Sequence, residues 1–324
     1  MRAMGSLHGF EIDCDRELRR LSCARGELGR VRVRSVEASP LERDGELLRL
    51  IAGANGNPAS ALARCDGRPL YWHADSGSFL VDAVSGLVSY RREDAVTDGG
   101  AARWEHRLGS SVLPVLGGER GGLALHASAV SVGGRALVIC GVTGRGKSTL
   151  AATLVARGHE AIAEDGVVID RDREESVVWP GLAGAMVTAG VATAIGLRGA
   201  REGGPDPRGR LYAQTPVAAG AATPVGAVAI LFERGGDRVE LTAPTPAKAH
   251  RELLAHAIGA GRRGAGAFAA SARLIERVPV RLLVVPDSVA ELPVAAEALE
   301  RLTAPEISTA ESSRVWHRAS KGRG

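Results

Sequence analysis

Lysine is nearly missing from this chain. Only Lys147, Lys248 and Lys321 occur in 324 residues, and every other strongly basic residue is arginine. Aromatics are scarce at 3%, against abundant glycine and alanine, so the core has to be packed from small aliphatic residues and the chain must turn often. No apolar run approaches the ~18 residues of a membrane-spanning helix, and the first residues, MRAMGSLHGFEIDCD, hold no apolar stretch of signal-peptide length. The expectation is a cytoplasmic protein with no membrane partner. The four cysteines, Cys14, Cys23, Cys65 and Cys140, show neither C-x-x-C spacing nor a nearby histidine pair, which argues against a zinc site and a disulfide framework. The net charge of +4 is spread along the chain with no basic stripe interleaved with aromatics, so no nucleic-acid partner is expected. There is no internal repeat.

What is present is organised around one stretch. Gly141-Val142-Thr143-Gly144-Arg145-Gly146-Lys147-Ser148 reads G-x-x-x-x-G-K-S, the phosphate-binding loop pattern. In that pattern glycines let the backbone curl so that several N–H groups face one phosphate, the lysine reaches the β- and γ-phosphates, and the serine hydroxyl holds Mg²⁺. The flanks agree with it. Ala136–Cys140 is an apolar run that suits a buried strand, and Ser148–Arg157 has helical spacing and ends at Gly158, a natural C-cap. A strand–loop–helix aims the positive end of the helix dipole at the phosphates. A chain that almost never uses lysine has one where the pattern needs a compact ammonium.

Ahead of this stretch, residues 30–36 alternate polar and apolar as a half-exposed strand does, and the segments around Leu70–Trp72, Phe79–Val81 and Leu87–Tyr90 read as an antiparallel meander. Residues 1–118 are therefore expected to form a small, mostly β domain. Two apolar runs, Leu123–Val132 and Arg135–Cys140, joined by Gly133-Gly134, predict a hairpin leading into the loop, and hence a mixed sheet around it. Downstream, strands are expected at 161–163, 167–169, 225–232 and 278–285, helices at 247–259 and 288–302, a Gly/Pro/Arg-rich loop at 197–214, and a disordered polar tail from Thr303.

Two further features carry chemistry. Glu164-Asp165 ends the strand after the loop helix, where geometry brings carboxylates beside a phosphate loop; alone, the pair reads equally well as a solvated acidic turn. His126 is the one polar ring in the small, apolar run Leu125-His126-Ala127-Ser128-Ala129-Val130, and a lone histidine on a strand is more often structural than functional. Together with the loop, with Arg157-Gly158-His159, and with Ala163-Glu164-Asp165, this run resembles the catalytic domain of HPr kinase/phosphorylase and its shorter serine-kinase-like relatives, over about residues 120–300 and most closely over 123–170.

The resemblance implies an α/β fold: a PEP-carboxykinase-like P-loop core with a mixed sheet at 119–302, preceded by the β domain and followed by the 303–324 tail. It also implies ATP- and Mg²⁺-dependent transfer to a serine hydroxyl of a small protein or ribosomal peptide. By position, Gly141, Thr143, Gly144, Arg145, Gly146, Lys147, Ser148 and Thr149 would hold the phosphates. Ser148 and Asp165 would serve the metal, His126 would lie near the transferred group, and Glu164 would take the acceptor-side base position. Three departures stand out. Glu164 replaces the usual Asp. The family's E-x-R-G-x-G segment is missing, which removes residue-level support for HPr as substrate and for a reverse reaction. The late basic loop is matched loosely by Arg208-Gly209-Arg210, with Arg210 the candidate charge-stabilising cation. The alternative is a nucleotide-binding partner module without kinase activity. Either reading is compatible with a homo-oligomer.

Overall fold

The computed structural model describes residues 3–19, 21, 26–40, 44–52, 56–91, 100–170, 174–182, 184–198, 200–201, 210–213, 222–259 and 265–304. The architecture is mixed α/β, built on two large mixed sheets with few helices. Eight strands make the first sheet: β1 (Ala3–Leu7), β2 (Phe10–Cys14), β3 (Arg30–Val36), β4 (Glu46–Ala52), β5 (Pro58–Cys65), β6 (Arg68–His73), β7 (Gly77–Asp82) and β8 (Leu87–Arg91), in the order β1-β2-β3-β8-β7-β6-β5-β4. The strand expected at 30–36 is β3, with Val31 and Val33 buried between exposed Arg30 and Arg32. The meander is β6–β7–β8 with antiparallel pairings. Parallel β2–β3 and β3–β8 pairings make the sheet mixed.

A helical segment follows: α1 (Gly100–Arg107), a π-helical turn over Leu108–Val112, and α2 (Leu113–Glu119). It gives its apolar side to the first sheet. Trp104, Leu108, Val112, Leu113 and Leu116 share one buried cluster with Phe10, Ile12, Phe79, Val81 and Tyr90. The Trp104 ring lies 4.6 Å from Tyr90 and 5.7 Å from Phe79, centroid to centroid, so nearly every aromatic in this aromatic-poor chain that is fully buried gathers here.

The second sheet contains β9 (Leu123–Leu125), β10 (Ala127–Val132), β11 (Arg135–Gly141), β12 (Glu160–Ala163), β13 (Val167–Asp170), β14 (Val177–Val178), β18 (Thr223–Arg234), β19 (Glu240–Thr242) and β20 (Val280–Val285). A separate three-stranded sheet is formed by β15 (Ala185–Thr188), β16 (Ala200–Arg201) and β17 (Arg210–Ala213). The helices are α3 (Lys147–Ala156), α4 (Ala189–Ala194), α5 (Pro246–Ala255), α6 (Ala265–Arg277) and α7 (Leu292–Thr303).

The strand expected ahead of the loop is β11, antiparallel to β10 and parallel to β18. Because alternate side chains point to opposite faces, its apolar run serves two cores. Leu137 and Ile139 pack with Leu150 and Leu154 of α3 and Leu299 of α7. Val138 and Cys140 face Leu253 of α5 and Leu274 of α6.

Some elements differ from expectation. The run Leu123–Val132 is not one strand. It breaks at His126: β9 leaves to pair with β13, while β10 continues the hairpin. The helix α6 carries no reading from the sequence, because its Ala- and Gly-rich first turns give a weak apolar stripe. The described part of the expected 197–214 loop holds β16 and β17. The tail from 305 onward, most of that loop and Cys23 lie outside the described residues. Cys14, Cys65 and Cys140 are buried free thiols, in keeping with the absence of a disulfide framework. Among the described residues no helix is long and apolar enough to cross a membrane.

The aromatic cluster sets a prediction. Trp104→Ala empties the largest side chain of the joint between α1 and the first sheet and should cost about 3–5 kcal/mol, read as a lower midpoint in urea unfolding.

Candidate active site

The site forms where four chain segments end. The first is the turn after β11. Gly146 adopts φ +105°, a left-handed backbone that favours glycine, and Nη1 of Arg234 lies against it. The first helical hydrogen bond of α3 runs from Leu150 N to Gly146 O. The amides of Lys147, Ser148 and Thr149 thus belong to the first turn, which has no intrahelical acceptors to offer them. Val142, Thr143, Gly144 and Arg145 are exposed, while Lys147 is only 5% exposed.

The second segment is the break at His126. Freed from the ladder, this residue donates its backbone N–H to His256 O (2.8 Å) and presents its ring to the loop. Nε2 lies 3.1 Å from Lys147 Nζ and 3.1 Å from Thr143 Oγ1; Nδ1 lies 3.0 Å from the Asp165 carbonyl and 3.3 Å from Asp165 Oδ1. A neutral ring with the proton on Nδ1 donates toward Asp165 and turns the single Nε2 lone pair to the Lys147 ammonium, with the Thr143 hydroxyl at the same distance competing for it. Burial and the Lys147 charge hold the His126 pKa below the ordinary histidine value, against the pull of Asp165.

The third segment ends β12. Glu164 and Asp165 are adjacent yet point to different surroundings, because Asp165 takes a left-handed backbone (φ +65°). Such a conformation costs an L-residue about 1–2 kcal/mol and is met mostly in Asn, Asp and Gly. It turns the Asp165 carboxylate toward His126 and toward His106 Nε2 of α1, 3.5 Å away. Gly166 follows and has no space for a Cβ against the Ser110 carbonyl of the π turn. Burial opposes ionisation of Asp165, but the His106 hydrogen bond and the charges of His126, His106 and Lys147 hold its pKa well below the usual carboxylate range. Glu164 is 1% exposed. It accepts from Ser128 Oγ at 2.8 Å, and the nearby Ser148 hydroxyl favours its ionised form. Burial, reinforced by the neighbouring Asp165 charge, pushes its pKa up to about 7. Burial also lowers the pKa of Lys147, opposed by both carboxylates.

The fourth segment is the end of β18. Arg234 donates through Nη1 to Arg145 O in the loop (3.3 Å) and pairs through Nη2 with Asp287 (2.9 Å).

Of the residues expected from the sequence, Thr143, Lys147, His126 and Asp165 thus meet in one group, and Ser148 and Glu164 in a second beside it. Gly141, Gly144, Arg145, Gly146 and Thr149 form the turn and first helical turn around them. Arg210 begins β17, and its side chain lies outside the described residues. His106, Ser128, Arg234 and His256 were not anticipated. His106, Arg234 and His256 carry no motif, and Ser128 stood in the quoted run beside His126 without a role. Arg157 and His159 do not join the site, because both bind Glu300 of α7, at 2.7 and 2.9 Å. No group of three or more metal-binding side chains occurs among the described residues. Mg²⁺ does not need one, since it is commonly held by one or two protein oxygens together with substrate phosphates.

The comparisons bring in a class of protein first, the enzymes that transfer phosphoryl groups. The curated relatives are HPr kinase/phosphorylases. That of Chlorobium phaeobacteroides is 43% identical over 56 residues (17% of this chain, 16% of the relative), and that of Prosthecochloris aestuarii matches to the same extent. That of Bacillus mycoides is 34% identical over 98 residues (30% of this chain, 32% of the relative). The chain is HPr kinase-like over these segments, and it spans a third or less of the length of the relatives it matches. A solved structure, the Hpr(Ser) kinase/phosphatase from Coxiella burnetii, aligns with a TM-score of 0.32 at 16% identity, over 60% of this chain and 98% of that one, too loosely to support a residue correspondence. No family model matches.

The raised pKa of Glu164 has a signed consequence. Between its ordinary value of 4.5 and about 7, the unfolded chain has lost a proton that the folded chain keeps, so this group makes stability fall as pH rises through that window. Asp165, shifted the other way, acts only as pH falls below its ordinary value of 3.8. His8 and His256, both lowered to about 4 by burial, act in the opposite sense below 6.5. The difference between wild type and Glu164→Gln isolates the glutamate. The variant should gain stability relative to wild type as pH rises from 5 to 8, read by thermal melting at each pH.

Proposed function

We infer that this chain is a kinase that transfers the γ-phosphoryl group of ATP, with Mg²⁺, to a serine hydroxyl of a small protein or ribosomal peptide. One observation carries the reading. A buried lysine at the head of a helix has a neutral imidazole, not a carboxylate, as its hydrogen-bond partner at 3.1 Å, so its positive charge is oriented but not cancelled by a direct ion pair. Such a cation suits a phosphate arriving at the loop, and the glycine turn and the first-turn amides suit the same anion.

The residues fit Mg·ATP. The loop amides and Lys147 would hold the β- and γ-phosphates, and Ser148, close to Glu164, would offer its hydroxyl to the metal with that carboxylate behind it. When bound, the metal would supply neutralisation of the charge on the phosphates.

The two carboxylates divide the remaining work. Glu164 is closed off beside Ser148, whereas the Asp165 side chain is 31% exposed. An acceptor hydroxyl can reach Asp165, so the geometry supports an exchange of the roles implied by resemblance. Asp165 orients the hydroxyl and Glu164 serves the metal side. His126 keeps Asp165 and Lys147 in register, its Nδ1 proton toward the first and its Nε2 lone pair toward the second. Arg234 holds the loop carbonyl of Arg145 in place. A loose transition state asks for positioning and charge more than for a strong base, which accords with the low pKa of Asp165. Cytoplasmic location and a peptide acceptor are part of this proposal.

Three substitutions test it. Lys147→Ala should abolish calorimetric binding of Mg·ATP. Asp165→Asn should retain nucleotide binding and lower phosphoserine formation at least about a hundredfold, while Glu164→Gln should weaken binding of Mg·ATP more than that of metal-free ATP. Nucleotide binding with no phosphorylated product from any acceptor would favour a regulatory module instead.

A further inference from the structure

The exposed leucines and isoleucine among the described residues are all on one strand. They are Leu47 (59%), Leu48 (38%), Leu50 (54%) and Ile51 (42%) of β4. β4 is also the last strand of its sheet, paired with β5 on one side and with no strand among the described residues on the other. An open row of backbone donors and acceptors flanked by apolar side chains is a liability that soluble proteins usually blunt with charge or proline. Here Glu46 and Arg49 are the only charges, and a bulge at Leu48 is the only irregularity before the last residue.

Register ties this edge to the site. Arg49 lies opposite Leu62, Leu62 opposite Tyr71, and Tyr71 opposite Phe79, so Arg49 stands on the sheet face that packs against α1. Ile51 shares that face through Ser60 and His73. The Arg49 charge is among those felt by His126. Arg49 makes no ion pair among the described residues. The strand therefore offers an open edge, apolar side chains and an uncommitted cation on the sheet face that carries α1, the helix whose His106 meets Asp165.

We propose that β4 is the docking edge for the phosphoryl acceptor, an inference that rests on the kinase reading above. An extended segment of the acceptor adds as a further strand, covers the aliphatic side chains of β4, and sets an acidic residue against Arg49, with its serine directed to Asp165. Main-chain pairing supplies affinity, and the alternating side chains and the Arg49 contact supply selectivity. A second copy of this chain fits the edge less well. In the symmetric antiparallel pairing that covers all of β4, the central residue of the strand, Arg49, would face its own copy, and like charges directly opposite each other destabilise a pairing.

The test uses the full chain, without nucleotide, on an immobilised library of short peptides with a fixed serine and all other positions randomised. Wild type should select alternating apolar positions and Asp or Glu at one fixed distance from the serine. Arg49→Glu should switch that position to Lys or Arg, and Ile51→Lys should weaken binding about tenfold. Both positions are exposed, so the melting temperatures of both variants should match wild type. Absence of selection over scrambled peptides, or an acidic preference that survives Arg49→Glu, overturns the proposal. So does a sedimenting dimer that Ile51→Lys dissociates. Because the readout is binding without nucleotide, a chain that fails to bind ATP or to transfer phosphate leaves this result separately readable.

Discussion

The contact on which the site depends is the one between Lys147 and His126. A buried ammonium paired directly with a carboxylate would be neutralised and would have little left for an incoming anion. With no partner it would lose its proton or its place. The imidazole is the intermediate solution. It accepts one hydrogen bond from the ammonium while remaining neutral, and it passes the influence of Asp165 through the ring instead of by direct contact. Everything else nearby serves that arrangement: the break between β9 and β10 that frees the ring, the left-handed turn at Asp165, and the glycine that lets the π turn approach.

The two adjacent carboxylates illustrate how one backbone angle separates chemistry. Glu164 follows the strand into the interior, where burial keeps its proton on to near neutrality and the Ser128 hydroxyl fixes its orientation. Asp165 turns toward His126 and His106, and their hydrogen bonds together with the Lys147 charge keep it ionised. A sequence reader sees two acids in a row. The fold gives them opposite protonation behaviour and neighbouring, distinct surroundings.

The loop, its strand and helix, the hairpin and the meander were legible because each is local. Glycine spacing, apolar alternation and capping act over a few residues, and α3 and β11 appear within a residue or two of where they were read. The break at His126 was not legible, since it arises from competition between β13 and β11 for the same run, and those partners are set by the whole sheet. His106, His256 and Arg234 were hidden for the same reason. Each is an ordinary residue in its own helix or strand and acquires meaning only from what lies opposite. The missing lysines were a more useful guide than any of these. In a chain that uses arginine by default, the choice of lysine at position 147 marks a requirement for a compact charge.

Trp104 and His106 share the short helix α1, two residues apart. The first is clamped among the aromatics of the N-terminal sheet and the second touches the carboxylate that faces the loop. The nucleotide-side machinery is therefore not a self-contained module. Its electrostatic set-point is partly borrowed from a neighbour whose own packing has nothing to do with phosphate. Substitutions in the first sheet can therefore retune the site without altering any residue within it.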